Sequence, residues 1–113
     1  METLVMAIHH GVLIILRAAL EPTFLFPLGQ VVATPGALDL LDRAGINASA
    51  LLTRHQCGDW GDISAIDAEE SMFTLRRSNR LLSAYRLGVN NERLWIITEH
   101  DRSISTLLLP EEY

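Results

Sequence analysis

The residues best suited to chemistry surround one histidine in the middle of the chain. His55 directly follows Arg54, and because imidazole titrates near neutral pH, His55 could act as a general acid or base. Arg54, or Arg102 further along, could then stabilise negative charge developing on a phosphate. The same pair also suits a structural role, since Arg and His in the last turn of a helix compensate its dipole. Both interpretations stay open from the sequence.

A loop with two glycines, residues 58–62 (Gly-Asp-Trp-Gly-Asp), follows the histidine. Asp59 and Asp62 could bind a cation, but a hard cation needs six or more oxygens and the spacing of a calcium loop is missing. Aspartates at such positions also cap turns. Trp60 could stack on a base or fill the core beneath the loop. We therefore count all three as candidate binding residues and predict no metal site and no cofactor.

Further candidates come from the last third of the chain. Period-two spacing places Ser83 and Tyr85 on one face of a predicted strand and Ser105 on one face of the last strand, and Thr98 is a candidate catalytic residue on the strand between them. If neighbouring strands align Tyr85, Thr98 and Thr106, they form a polar face that could meet a substrate; otherwise they are solvated. Arg80 follows the pair Arg76-Arg77, and this basic cluster could contact phosphate or compensate a helix end.

Composition limits the classes of function. The chain has 113 residues, enough for one domain with a modest core. All nine basic residues are arginines, and 14 acidic residues give a net charge of -5, which argues against broad DNA binding. Cys57 is the single cysteine, so an internal disulfide and a cysteine-rich zinc site are excluded. These features are typical of a reducing, cytoplasmic setting.

Residues 1–25 form an apolar N-terminal segment with few charges. Its uncharged stretch, residues 3–16, is shorter than the roughly 20 residues that span a bilayer, and its start is acidic rather than basic as in a signal peptide. We expect either a helix over residues 4–20 covered by the fold or by a partner, or a non-native extension upstream of the true start. Residues 26–113 are predicted to form a single domain.

Helix signals dominate the first half of that domain. Thr34 can cap a helix, Pro35 suits its first position and Gly45 suits its end. The apolar face of this helix is predicted to consist of Leu38, Leu40, Leu41 and Ala44. Asn47 can cap a second helix that ends near Gln56. A third helix is predicted over residues 65–77.

Strand signals dominate the second half. An extended lead-in or edge strand is predicted over residues 24–33, and three strands over 80–87, 93–99 and 103–109. Short turns between the last three indicate an antiparallel meander. The sequence thus predicts an α+β fold with two or three helices followed by an antiparallel sheet of three to four strands.

Motifs spread over residues 26–113 carry a family resemblance. The most specific are Phe26-Pro-Leu-Gly-Gln-Val-Val-Ala-Thr-Pro-Gly-Ala37, Gly58-Asp-Trp-Gly-Asp62, Trp95-Ile-Ile-Thr-Glu99 and Leu107-Leu-Leu-Pro-Glu-Glu-Tyr113. Through them the chain resembles a family of small proteins encoded on plasmids and integrative conjugative elements. Some members are labelled as restriction methyltransferase subunits, but this chain is too short for that role and lacks a Gly-rich cofactor loop. Its architecture is also loosely similar to barnase, colicin-type and RelE-type ribonucleases.

Two functions follow as expectations. The family context and the acidic charge favour a mobile-element accessory protein that binds a macromolecule, with a host or element-encoded protein as partner and inhibition of restriction or CRISPR defence as its role. The alternative is an RNase-like enzyme or toxin that binds RNA and uses His55, Arg54, Arg80 and Arg102. No membrane partner is expected.

Overall fold

The computed structural model of the chain describes residues 23–63 and 77–113. Within these residues, two α-helices accompany a four-stranded sheet. In chain order the elements are β1 (Gln30–Ala33), α1 (Pro35–Ala44), α2 (Ala48–Gln56), β2 (Leu81–Leu87), β3 (Glu92–Thr98), β4 (Ile104–Leu108) and a 3₁₀ turn (Pro110–Glu112). The predicted α+β class is confirmed.

Both helices begin at the predicted capping residues. The Thr34 hydroxyl accepts a hydrogen bond from the backbone N–H of Ala37 at 3.2 Å, and the Asn47 side chain accepts one from the N–H of Ser49 at 2.9 Å. These bonds satisfy donors that the first helical turn leaves unpaired. Gly45 ends α1 with φ 67°, a conformation that glycine adopts at little cost.

The strands lie in the order β1-β4-β3-β2. The last three strands form the predicted antiparallel meander, in which Leu81 lies opposite Thr98, and Thr98 lies opposite Ser105. β1 joins at the edge and runs parallel to β4. This register sets which side chains of successive strands meet.

Apolar side chains cover both faces of the sheet. The face toward the helices packs in one cluster, formed by Tyr85, Leu87, Leu94, Ile96 and Leu107 with Ala37, Leu40, Leu41 and Leu51. The opposite face holds a second cluster, formed by Leu82, Ala84, Trp95, Ile97 and Leu108, on which Ile63 packs. Full burial of each large apolar side chain contributes about 1.5–3 kcal/mol, so the first cluster holds both helices against one face of the sheet and the second stabilises the opposite face.

Some local predictions differ from the structure. Leu38 was expected on the buried face of α1 but is 57% exposed, because Ala37, Leu40 and Leu41 occupy that face at helical spacing. Of the predicted extended segment 24–33, only Gln30–Ala33 is a strand. The helices predicted over residues 4–20 and 65–77 lie outside the described residues, apart from Arg77.

Candidate functional site

His55 lies in the last turn of α2 and is completely buried against the sheet. Its Nδ1 is 2.5 Å from Ser83 Oγ on β2, and its Nε2 is 2.9 Å from Thr98 Oγ1 on β3. Thr98 Oγ1 lies 2.7 Å from Ser105 Oγ on β4, and Ser105 donates to the Leu28 carbonyl at 2.8 Å. We call these five residues the His55 network; it joins α2 to three neighbouring strands.

The directions of the hydrogen bonds in the His55 network follow from its last member. Ser105 has one hydroxyl proton and gives it to the Leu28 carbonyl, so Thr98 must donate to Ser105. Thr98 therefore accepts from the Nε2–H of His55. Nδ1 then carries the lone pair and accepts from the Ser83 hydroxyl. The geometry thus assigns a neutral imidazole protonated at Nε2, with both ring nitrogens paired.

Two aromatic rings complete the surroundings of the imidazole. Phe26 and Trp60 contact it edge-on, with ring centroids 5.1 and 5.6 Å away, and they stack on each other at 6.3 Å. Burial lowers the pKa of His55 to about 4, because the charged form is poorly solvated there. His55 is therefore neutral at pH 7. The structure brings together two candidate catalytic residues, His55 and Thr98, at a place closed to solvent; their catalytic role stays a prediction.

Arg54 and Asp59 lie at the surface and contact the buried Tyr85. Arg54 Nε donates to Asp59 Oδ2 at 2.6 Å, and its guanidinium carbon lies 4.5 Å from the centroid of the Tyr85 ring. The Tyr85 hydroxyl donates to the Asp59 backbone carbonyl at 2.6 Å. The hydrogen bond from Arg54 lowers the pKa of the Asp59 carboxyl, and burial raises the pKa of Tyr85. Three candidates thus share one contact set, which fixes the start of the loop.

The rest of the loop lies along β2 as a short parallel bridge. The N–H of Ala84 donates to the Trp60 carbonyl at 3.0 Å, and the N–H of Asp62 donates to the Ala84 carbonyl at 2.7 Å. Gly61, between them, has φ 70°, and a Cβ there would overlap the Ala84 carbonyl oxygen. The carboxylate of Asp62 accepts from Arg86. Asp59 and Asp62 therefore contact different arginines.

Arg80 and Arg102 lie at the end of the meander where β2 begins and β3 ends. Arg80 donates to Glu99 Oε2 at 3.1 Å and to the Tyr113 hydroxyl at 3.0 Å. Arg102 adopts φ 61°, and its guanidinium carbon lies 5.9 Å from the centroid of Phe26, the ring that also contacts His55. Its Nη1 donates to three backbone carbonyls, those of Asn79, Glu99 and His100. Both arginines therefore hold turns in place.

Sequence reasoning did not identify the buried partners of His55 as a set. Ser83 and Ser105 were recognised only as polar positions on separate strands, and Leu28 was not singled out. The available signal was the period-two placement of small hydroxyl residues on three successive strands. Thr106, which was grouped with Tyr85 and Thr98, lies on the opposite face, because it pairs with Ile97 rather than with a helix-facing residue.

Searches for metal-ligand clusters, membrane-spanning helices and similar proteins identify no further functional feature in the described residues. Within residues 23–63 and 77–113, no three His, Cys, Asp or Glu side chains are placed to share a metal ion. No helix in the same ranges is long and apolar enough to cross a bilayer. The chain matches no family model, no curated protein and no solved structure.

Proposed function

We propose that this chain is a cytoplasmic accessory protein of mobile genetic elements, which binds a host protein and inhibits a host defence system such as restriction or CRISPR. The resemblance of residues 26–113 to small proteins of plasmids and integrative conjugative elements supports the context. The net charge of -5 supports the mode of action, because an acidic surface can occupy the nucleic-acid site of a defence effector.

The observation that carries the proposal is an exposed apolar segment without charges. From Pro22 to Leu38 the chain has no Asp, Glu, Lys, Arg or His. Along it Phe24 is 54%, Leu25 62% and Leu38 57% exposed. Exposed large apolar side chains favour protein binding, because their burial against a partner removes apolar area from water.

The arginines favour a protein partner over a nucleic acid. Every arginine in the described ranges already has an interaction within the chain: Arg43, Arg54, Arg80 and Arg86 pair with carboxylates, Arg102 donates to carbonyls, and Arg77 and Arg93 are engaged too. Phosphate binding needs guanidinium groups that neutralise phosphates and release counterions. Recruiting these arginines to RNA would first break their internal pairs.

The test compares partner binding by two variants, one at an exposed leucine and one at an exposed valine. Leu38→Glu places a charge in the apolar segment, whereas Val89→Glu, at a 98% exposed position of the β2–β3 turn, is the matched control. Tagged wild type is incubated with nuclease-treated lysate of the native host, and each retained protein is purified and titrated by interferometry. We expect a defence protein that binds wild type and Val89→Glu alike and Leu38→Glu at least about tenfold more weakly, a loss of about 1.4 kcal/mol.

The same variants are then tested in cells and on RNA. In a host whose restriction or CRISPR system targets a plasmid, wild type and Val89→Glu should raise plasmid establishment and Leu38→Glu should not. Purified wild type and His55→Ala are also incubated with total cellular RNA, and new 5′ ends are mapped. RNA cleavage by wild type that is lost in His55→Ala, or plasmid establishment unchanged by wild type under every defence system tested, would overturn the proposal.

A further inference from the structure

In the part of the chain that the structure describes, no backbone group pairs with the outer edge of β1. The N–H of Gln30 donates to the carbonyl of Ser103, just before β4, at 2.8 Å, and the N–H of Thr34 donates to the carbonyl of Leu107 in β4 at 3.0 Å. Alternate residues of a parallel strand turn their backbone groups to the same side, so Val32 also faces β4, whereas Val31 and Ala33 face away. Within the described residues, the N–H and C=O groups of Val31 and Ala33 have no hydrogen-bond partner. The edge therefore offers two donors and two acceptors.

The two edges of the sheet differ in how they are protected. The outer edge of β2 is paired with the loop through both backbone groups of Ala84. Natural edges otherwise carry charged residues that prevent pairing between sheets. Among the described residues nothing pairs with the outer edge of β1, and its sequence, Gln-Val-Val-Ala, is uncharged, with Val31 and Val32 43% and 38% exposed. Because these valines point to opposite faces, the edge is apolar above and below.

We propose that a second copy of this chain pairs with β1 in antiparallel orientation, about a twofold axis at Val32. Val31 of each copy then lies opposite Ala33 of the other, and each of these two pairs exchanges two hydrogen bonds. All the outward groups of both strands are used, and the two sheets become one of eight strands. Val32 of one copy faces Val32 of the other, with Cβ atoms about 5 Å apart.

The position of the axis follows from the residues that flank β1. An axis at Val31 pairs Ala33 with Gly29, and an axis at Ala33 pairs Val31 with Pro35, which has no N–H to donate. Only the axis at Val32 keeps every bonded residue within β1. No charged residue is brought opposite a like charge in this register, although each copy has a net charge of -5. A self-paired strand is therefore complementary in hydrogen bonding and brings no like charges together.

Two sets of variants test the pairing by light scattering and sedimentation over a range of concentrations. Wild type should move from the 12.6 kDa of one copy toward twice that mass as concentration rises. Val31→Pro removes an outward N–H and leaves the bonds to β4 intact, so it should stay monomeric; Val31→Thr keeps the N–H and should dimerise. Val32→Lys and Val32→Glu should each be monomeric, because like charges meet at the axis, and an equimolar mixture should form a heterodimer.

The mixture is decisive because restored association requires residue 32 of one copy to face residue 32 of the other. Circular dichroism confirms that each variant is folded. Wild type that stays monomeric up to about millimolar concentration, beyond the affinity range of specific interfaces, would overturn the inference. So would dimers of undiminished affinity in Val31→Pro and Val32→Lys, which would place the contact elsewhere. The inference does not depend on the proposed function. A dimer that binds no host protein contradicts only the proposed function, and a monomer that binds a host protein contradicts only the proposed dimer.

Discussion

Lowering the pH below 6.5 should destabilise this protein through one buried side chain. In the unfolded chain His55 has an ordinary pKa near 6.5, whereas burial lowers the pKa in the folded protein to about 4. Between these values the unfolded state binds a proton that the folded state does not. Stability is therefore complete above pH 6.5 and falls as the pH drops toward 4, because protons favour the state that binds them.

The size of the effect follows from the two pKa values. In this window each pH unit removes up to about 1.4 kcal/mol from the free energy of unfolding, and between pH 8 and pH 4.5 the sum is about 2.5 kcal/mol. That is a large share of the 5–15 kcal/mol typical of a small domain. Asp59, Asp101 and Glu112 have lowered pKa values. Their stabilisation is lost mainly below about pH 4.5, as the pH falls through their folded values, so the two effects separate.

The assay is urea unfolding followed by tryptophan fluorescence at pH 8, 6.5, 5.5 and 4.5, with wild type and two variants. His55→Gln keeps a polar amide beside Ser83 and Thr98 but removes the titrating ring, so its profile should lack the loss of about 2.5 kcal/mol. Replacing an exposed histidine in the same way, His100→Gln, is the control and should reproduce the wild-type profile. Because His55→Gln could lower stability overall, the compared quantity is the change with pH, not the absolute value.

A second measurement does not depend on any variant. The ring carbon and proton signals of His55 in the folded protein, followed by NMR, should not titrate above about pH 5. A ring that titrates near pH 6.5 while the fold is intact would refute the reasoning, because it would show that the imidazole is accessible to water. Equal pH-dependent losses in wild type and His55→Gln would refute it as well.

Three further substitutions test the local structure by urea unfolding at pH 7.5. Gly61→Ala should lower the free energy of unfolding by at least about 2 kcal/mol, because a Cβ there combines positive φ with overlap of a β2 carbonyl. Gly45→Ala, also at positive φ but with open space around the new Cβ, should lower it by about 1 kcal/mol. Equal losses in the two variants would contradict the packing argument. Thr34→Ala should cost about 1 kcal/mol by removing the α1 cap, and Thr34→Ser should restore most of it. Ser83→Ala should cost about 1–3 kcal/mol, since it leaves a ring nitrogen buried without a partner; a neutral result would show that the nitrogen has another donor.

The local elements were predictable because their signals lie within a few residues of each other. Thr34 and Asn47 cap helices at the positions their side chains favour, and Gly45 ends α1 in the left-handed conformation. The three strands of the meander differ from their predicted bounds by a residue or so at either end. Leu38 was misplaced because sequence shows which residues are apolar but not how wide a stripe the neighbouring sheet covers.

In the candidate site, too, the local features were predictable from the sequence and the long-range contacts were not. By itself the sequence determined that His55 lies near the end of a helix, that Thr98 lies near the end of a strand, and that Asp59 and Asp62 lie in a turn with two glycines. Only the tertiary structure decided that His55, Ser83, Thr98 and Ser105 meet. These residues are 28, 43 and 7 positions apart along their hydrogen bonds, so their contact depends on strand register and helix docking. The burial that lowers the pKa of the imidazole and the hydrogen bonds that fix its tautomer are properties of that packing and have no local sequence signal.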